Sequence, residues 1–107
     1  MKSVKNDMNI RIEIPEDRIA EFCRKWRVKE MAVFGSALGD DFRPDSDVDV
    51  LVEFHEDARW SLFDHIRAEE ELERIFGRKV DLVEKKALKN PFRRRHILKN
   101  HEVIYAA

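Results

Sequence analysis

The length, composition and charge of the chain limit the kinds of protein it can form. With 107 residues, 43% hydrophobic and 40% charged, it suits one domain with a modest core, over 1–107 with a loose segment at 1–8. The formal net charge of -1 argues against a protein that holds nucleic acid by overall electrostatics. The single cysteine excludes an intramolecular disulfide bond, and no apolar run approaches the roughly 20 residues that span a bilayer. We therefore expect a cytoplasmic protein.

The first half of the chain predicts a helix and then two strands joined by a turn. Pro15, followed by two acidic residues and by apolar residues at helical spacing, is typical of a helix start. We interpret Cys23, on the apolar face of that helix, as a core residue. The run Met31–Phe34 stops at a Gly-Ser pair and predicts a short buried strand. The predicted segments are an extended lead-in at 10–14, a helix at about 15–27, a strand at 31–34, a turn-rich loop with one short helical turn at 37–46, and a strand at 47–54.

The second half predicts a helix, a strand, a basic segment and a closing strand. Leu62–Phe76 carries apolar residues in a 3.6-residue rhythm, and Gly77 is placed as its C-terminal stop. Val80–Val83 predicts a strand. The segment from about 84 to 99 is basic and helical, with an interruption near its middle, and His101–Tyr105 predicts a short strand. This order of elements predicts an α/β or α+β fold, in which a small mixed sheet is backed by helices.

Three carboxylates are predicted to lie on one face of this sheet. Because side chains alternate between the faces of a strand, Asp47 and Asp49 share a face, about 7 Å apart along the backbone, while the valines beside them face the core. In the later strand Val80 and Leu82 face the core, which sends Asp81 the other way. If the two strands are neighbours, the three carboxylates crowd together and raise one another's pKa.

A divalent cation would remove that conflict between the carboxylates. Oxygen ligands of this kind, with positions open to water and phosphate, are how Mg²⁺ is usually held. Two such ions would activate an attacking hydroxyl and neutralise a leaving pyrophosphate. The chemistry that these residues suggest is phosphoryl or nucleotidyl transfer.

The Asp-x-Asp pattern also has a simpler interpretation, in which turn-forming aspartates open a solvated strand. The upstream pair Gly35-Ser36, at the end of a strand, favours the functional interpretation. Glycine lets the backbone approach a phosphate group, and the serine offers both an N–H and a hydroxyl donor. Gly-Ser, ten intervening residues and then Asp-x-Asp at the start of an apolar strand therefore indicate a phosphate site beside a metal site.

The stretches 33–36 and 43–52 resemble the DNA polymerase β-like nucleotidyltransferase superfamily, in particular its minimal nucleotidyltransferases, the MNT or MntA-type antitoxins. The family's third carboxylate matches Asp81, and the resemblance covers roughly residues 30–105. It implies the nucleotidyltransferase fold and ATP as the nucleoside triphosphate donor. It also implies two Mg²⁺ ions at Asp47, Asp49 and Asp81. Asp81 would help to activate the acceptor hydroxyl, while Gly35 and Ser36 hold the triphosphate.

The resemblance also implies a partner protein. Proteins similar to this chain are commonly encoded beside a HEPN-domain ribonuclease toxin, and some neutralise it by transferring AMP to one of its tyrosines. The expected function is therefore that of an adenylyltransferase antitoxin, in a homo- or hetero-oligomer, with the acceptor brought by the partner. Two alternatives stay open: a binding antitoxin of the same fold that blocks the toxin without chemistry, and a nucleotidyltransferase that modifies a small molecule or RNA.

One departure from the family pattern concerns phosphate binding. Many relatives carry an Arg-Gly pair where this chain has Gly39-Asp40. The arginine that could donate hydrogen bonds to a phosphate group is therefore missing at this position. Arg43 and Lys79 are the candidate replacements.

The basic and aromatic residues of the second half have two interpretations each. The segment 85–96 is either a solvated helix surface or a patch for triphosphate, RNA or an acidic partner. Because Phe92 is its one aromatic residue, specific RNA binding is not favoured. Trp60 and Phe63 are either core residues or part of an apolar patch for a partner chain.

Overall fold

The structure, a computed structural model, describes residues 12–39, 43 and 46–107. Within those residues, two 3₁₀ turns, Gly35–Leu38 and Lys85–Ala87, follow the first and third strands. The loose segment 1–8, the start of the extended lead-in and most of the loop after residue 39 lie outside the described residues. The helices and strands are α1 Glu16–Trp26, β1 Val28–Phe34, β2 Val48–Phe54, α2 Leu62–Phe76, β3 Val80–Glu84, α3 Pro91–Lys99 and β4 His101–Ala106.

The four strands form one mixed sheet in the order β3-β2-β1-β4. β1 is antiparallel to both of its neighbours, whereas β2 and β3 run parallel and are connected through α2. Parallel neighbours require a crossover of this kind, because a tight hairpin can join only antiparallel strands. The predicted α+β class, with a small mixed sheet backed by helices, is confirmed.

Different helices cover the two faces of the sheet. On one face α1 and α2 enclose the main core, whose largest buried side chains are Phe22, Ile19, Met31 and Leu72. On the other face a smaller cluster joins the sheet to α3 and the segment before it, through Ala32, Phe34, Leu51, Leu88 and Ile97. Cys23 is fully buried in the main core, as predicted, and its burial raises the pKa of the thiol to about 12. Among the described residues, no helix is both long enough and apolar enough to cross a bilayer.

Local signals at the helix ends explain where the helices begin and end. Gly77 ends α2 in the left-handed conformation (φ 72°), as the sequence predicts. Ser61 starts the same helix with a capping box, in which its hydroxyl accepts from the N–H of Asp64 and the Asp64 carboxylate accepts from the N–H of Ser61. Asn90 starts α3 by accepting from the N–H groups of Phe92 and Arg93, which accounts for the predicted interruption of the basic segment.

Two aromatic residues have different environments. Trp60 packs against the main core, with its ring centroid 4.1 Å from that of Phe54 and 5.1 Å from that of Trp26. Phe63, on the first turn of α2, is 73% exposed. The core interpretation is therefore correct for Trp60 and wrong for Phe63. β1 also begins at Val28, three residues earlier than the apolar run indicates, because Lys29 and Glu30 extend it at the more exposed end.

Candidate active site

The three predicted carboxylates come from two neighbouring parallel strands. Asp49 of β2 and Asp81 of β3 are direct partners in the strand register, and Asp47 lies one residue before β2. Adjacent strands are about 4.8 Å apart, so the Asp49 and Asp81 side chains stand next to each other. They lie on the face that carries Leu51, opposite the main core. The adjacency on which the sequence argument depends is therefore present.

The Gly35-Ser36 pair lies directly against one of these carboxylates. Phe34, the last residue of β1, pairs with Asp49 of β2, and Gly35 follows with φ 76°. A Cβ atom at Gly35 would lie 2.2 Å from Oδ2 of Asp49, a distance that no side chain could adopt. Gly35 and Ser36 are both exposed. The main-chain carbonyl of Ser36 closes the turn by accepting from the N–H of Gly39 at 2.9 Å. The two halves of the sequence motif are thus in contact.

Asp49 is the carboxylate on which the charges of its neighbours act. Its partial burial, and then the charges of Asp81 and Asp47, raise the pKa of the Asp49 carboxyl above its ordinary value, while the guanidinium of Arg93 acts in the opposite sense. A divalent cation would relieve both the burial cost and the repulsion. Because all three donors are carboxylate oxygens, the site fits a hard cation such as Mg²⁺.

The three carboxylates do not converge as a set of metal ligands in this structure. Within the described part of the chain, no three His, Cys, Asp or Glu side chains converge as a metal cluster. Carboxylates repel one another until a cation neutralises them, so convergence is expected to accompany binding. Without a bound cation, the site consists of the carboxylates of Asp47, Asp49 and Asp81 beside the Gly35–Leu38 turn.

Arg93 belongs to this neighbourhood, although its sequence context gives no sign of it. In the sequence Arg93 belongs to the basic segment 85–96, but three consecutive arginines on a helix point in directions about 100° apart. Arg93 lines the cleft beside Gly35 and its charge acts on Asp49, whereas the guanidinium of Arg94 donates to the carbonyl of Lys85 at 3.2 Å. Arg95 is exposed. Helical spacing separates the three arginines, but only the tertiary fold shows which one has its charge act on Asp49.

Arg43 and Lys79, the candidate replacements for the loop arginine, contact the site region through their main chains. The carbonyl of Lys79 accepts from the N–H of Val48, and the N–H of Arg43 donates to the Ser46 hydroxyl, both at 2.9 Å. Arg78 donates to the carbonyls of Arg43 and Ser46. These bonds hold Arg43 and Ser46 near Asp47. A phosphate-binding role for the side chain of Arg43 or Lys79 stays a prediction.

Two cavities are candidates for the active site, and they differ in which residues lie near them. The larger, about 730 Å³, lies at the far end of β2 and β3, where Phe54, Trp60 and Lys85 are among its lining residues. The smaller, about 480 Å³, lies between the Gly35–Leu38 turn and α3. We place the active site at the smaller cleft because it adjoins the glycine turn and the carboxylates.

The mixed sheet, the glycine turn and the paired strand aspartates together define a nucleotidyltransferase. The sequence profile of the nucleotidyltransferase domain matches residues 17–104, and the chain belongs to that family. The resemblance found in the sequence is thereby confirmed.

Curated relatives narrow the class further. A Methanocaldococcus jannaschii protein, provisionally named a protein adenylyltransferase, is 38% identical over 81 residues, which are 76% of this chain and 79% of the relative. The protein adenylyltransferase MntA of Thermococcus cleftensis is 44% identical over 70 residues, 65% of this chain and 69% of the relative. The chain is therefore an enzyme of the nucleotidyltransferase class whose relatives carry the name protein adenylyltransferase.

Solved structures agree with this assignment. A provisionally assigned minimal nucleotidyltransferase superimposes with a TM-score of 0.65 at 32% identity, covering 84% of this chain and 87% of the other. A toxin-antitoxin crystal structure with AMP-PNP gives a TM-score of 0.70 at 16% identity, with 87% and 74% covered. A complex of a tri-AMPylated Shewanella oneidensis HEPN toxin with its MNT antitoxin gives 0.63 at 16%, with 86% and 70% covered. The last two likenesses are evidence for the fold alone.

Proposed function

We propose that this chain is the antitoxin of a HEPN toxin pair and that it transfers AMP from ATP to a tyrosine of that toxin. The contact between Gly35 and the Asp49 carboxylate carries the proposal. It places a backbone that a phosphate can approach next to a carboxylate that is suited to bind a metal ion. The names of the relatives support a protein acceptor, and the AMPylated toxin bound to a structural neighbour supports a HEPN partner.

Asp47, Asp49 and Asp81 would hold Mg²⁺, as two ions if the family pattern applies. Mg²⁺ at this position supplies charge neutralisation for the triphosphate and for the departing pyrophosphate. Support for the metal comes from Asp49, whose pKa is raised by burial and by the charges of Asp81 and Asp47. A carboxylate whose neighbours repel its charge is stabilised when a cation binds beside it.

The residues of the chain then have separate roles in the transfer. Gly35 and Ser36 bind the triphosphate through N–H groups and the serine hydroxyl. Asp81, which is exposed, accepts the proton of the tyrosine hydroxyl. The tyrosine oxygen forms a bond to the α-phosphorus, the bond from that phosphorus to the oxygen bridging to the β-phosphate breaks, and pyrophosphate leaves with the electron pair.

The proposal is tested by incubating the chain with α-labelled ATP, Mg²⁺ and the HEPN protein encoded beside it. We expect label on the toxin with the wild-type chain. The double variant Asp47→Asn/Asp49→Asn should lose about 100-fold or more of that transfer because the cation site is gone. Glu56→Gln is the matched control, since Glu56 is an exposed carboxylate at the far end of β2 and should change nothing.

Binding and toxin neutralisation are measured on the same variants. A toxin that binds the wild-type chain and stays unlabelled would contradict the enzymatic proposal. If the double variant neutralises the toxin as well as the wild-type chain does, the antitoxin acts by blocking the toxin surface. Label appearing on RNA or on a small molecule without the toxin would favour the third alternative. A cytoplasmic location stays a prediction from the sequence.

A further inference from the structure

The cleft between the Gly35–Leu38 turn and α3 has the size and the lining of a ligand site. Its volume of about 480 Å³ falls in the range of roughly 300–1,000 Å³ that is common for small-molecule sites. Leu38 and the buried Ile97 give it apolar walls, while Arg93 and His96 are exposed polar lining residues on α3. Gly35 lines the cleft and touches Asp49, so the cleft opens beside the carboxylates.

Arg93 is placed where this cleft meets the acidic site. Arg93 and Gly35 line the same cleft, and Gly35 lies directly against the Asp49 carboxylate. A triphosphate that lies along the Gly35-Ser36 turn passes through the same region. A guanidinium binds phosphate oxygens through two parallel hydrogen bonds, and it stays charged at every physiological pH.

Neighbouring arginines of the same helix are not equivalent to Arg93. Arg94 lines the larger cavity at the far end of the sheet and donates to the carbonyl of Lys85. Arg95 is exposed and lines neither cavity. The N-terminal turn of α3 is fixed by Asn90, whose side chain accepts from the N–H of Arg93, so the guanidinium extends from an ordered backbone.

Resting on the proposed function, we propose that Arg93 binds the phosphates of the donor nucleotide and that the nucleoside occupies the cleft between the Gly35–Leu38 turn and α3. Arg93 then supplies a cationic phosphate contact from α3. Leu38 and Ile97 contact the base or ribose. The substrate class is a nucleoside triphosphate whose triphosphate extends from the cleft toward Asp49.

The test is a set of NMR titrations of the full chain, with ATP in the presence of Mg²⁺ and, separately, with adenosine. Arg93→Ala should weaken ATP binding about 10-fold or more, as expected for the loss of a charge-assisted contact. Adenosine affinity should stay within about twofold, because the apolar walls of the cleft are unchanged. In the wild-type chain the methyl signals of Leu38 and Ile97 should shift with either ligand, whereas those of the core residue Ile19 should not.

Arg95→Ala is the matched control, since it removes the same charge from the same helix, and its ATP affinity should stay within about twofold. Equal ATP affinities of the two variants would overturn the role of Arg93. An equal loss of ATP and adenosine binding in Arg93→Ala would do the same, because it would show a change in cleft shape. A wild-type chain that binds no ATP would overturn this inference and the proposed function together. Normal transfer by the wild-type chain and by Arg93→Ala would overturn this inference alone.

Discussion

Gly35 and Gly77 share a backbone conformation and differ in surroundings. Their φ angles are 76° and 72°, so an alanine at either position is strained in the left-handed region. At Gly35 the added methyl would also meet the Asp49 carboxylate, while at Gly77 nothing lies within 4 Å. Comparing the two positions therefore separates backbone strain from the geometry of the site.

We expect Gly35→Ala and Gly77→Ala each to lower the free energy of unfolding by about 1–2 kcal/mol. Only Gly35→Ala should lower AMP transfer, by about 100-fold or more, because it displaces the Asp49 carboxylate from its position. Denaturant unfolding and label transfer, measured on the same preparations, check both effects. Similar transfer rates for the two variants would show that the contact between Gly35 and Asp49 has no catalytic importance.

The raised pKa of Asp49 predicts that the stability of the metal-free chain depends on pH. Burial, and then the charges of Asp81 and Asp47, raise its pKa in the folded state above the usual 3.8. The folded state therefore binds this proton more tightly than the unfolded state does. The resulting stabilisation is fully present below pH 3.8 and is lost as the pH rises through the raised folded-state pKa.

At pH 7 without Mg²⁺, Asp49→Asn should accordingly raise the Tm, on the order of a few degrees, and the gain should shrink below about pH 4. Mg²⁺ should stabilise the wild-type chain more than the variant. Thermal melts at both pH values, with and without Mg²⁺, measure this. Asp57→Asn is the control, because Arg27 lowers the pKa of Asp57 and no gain is expected. A lower Tm for Asp49→Asn at pH 7 would contradict the assignment.

At the scale of elements, α2 protects the edge of the sheet at β3. The carboxylate of Glu73 accepts from the N–H of Val80 at 3.2 Å, and that of Glu69 accepts from the N–H of Leu82 at 2.9 Å. An unpaired edge would offer these N–H groups to another chain. The two contacts also flank Asp81, so α2 helps to hold the third carboxylate in register.

Replacing both glutamates by alanine should lower the free energy of unfolding by about 1–3 kcal/mol, because two N–H groups lose their acceptors. It should also lower AMP transfer, through looser placement of Asp81. Glu69→Gln/Glu73→Gln keeps an acceptor oxygen and should be milder. Glu70→Ala, an exposed position on the same helix, is the control. Denaturant unfolding and size-exclusion chromatography measure stability and edge pairing, and equal stability of the alanine and control variants would refute the role.

Local patterns in the sequence predicted most elements, and contacts between distant segments account for what they could not. The apolar rhythm of Leu62–Phe76 and its glycine stop gave both ends of α2, because the signals lie within the helix. Strand alternation put Asp49 and Asp81 on one face, but their adjacency depends on the pairing of β2 with β3. No pattern in the sequence singles out Glu69, and its bond to the N–H of Leu82 is visible only in the fold.

At the scale of the whole molecule, the three consecutive arginines of α3 lie in different surroundings. The charge of Arg93 acts on Asp49, Arg94 lines the cavity at the opposite end of the sheet, and Arg95, the next residue, is exposed. The formal net charge of the chain is -1. Strong nucleic-acid binding requires many phosphate contacts on a shared surface, and this arrangement does not supply them.

We therefore expect only weak binding of single-stranded RNA, with a Kd no tighter than about 10⁻⁶ M at physiological salt. Fluorescence anisotropy with a labelled RNA, repeated at several salt concentrations, measures it. Arg94→Ala should have little effect on that weak affinity. Nanomolar binding that persists at high salt would contradict the expectation and would favour RNA as the acceptor.

The reactivity of the one thiol of the chain reports on how often the native state opens. Cys23 has no exposed surface, and burial raises its pKa to about 12, so a thiol reagent can modify it only after the helix α1 separates from the sheet. The rate of modification then measures how often the native state opens, without any introduced probe. The same rate, followed as nucleotide or toxin is added, would show how strongly each one holds the domain closed.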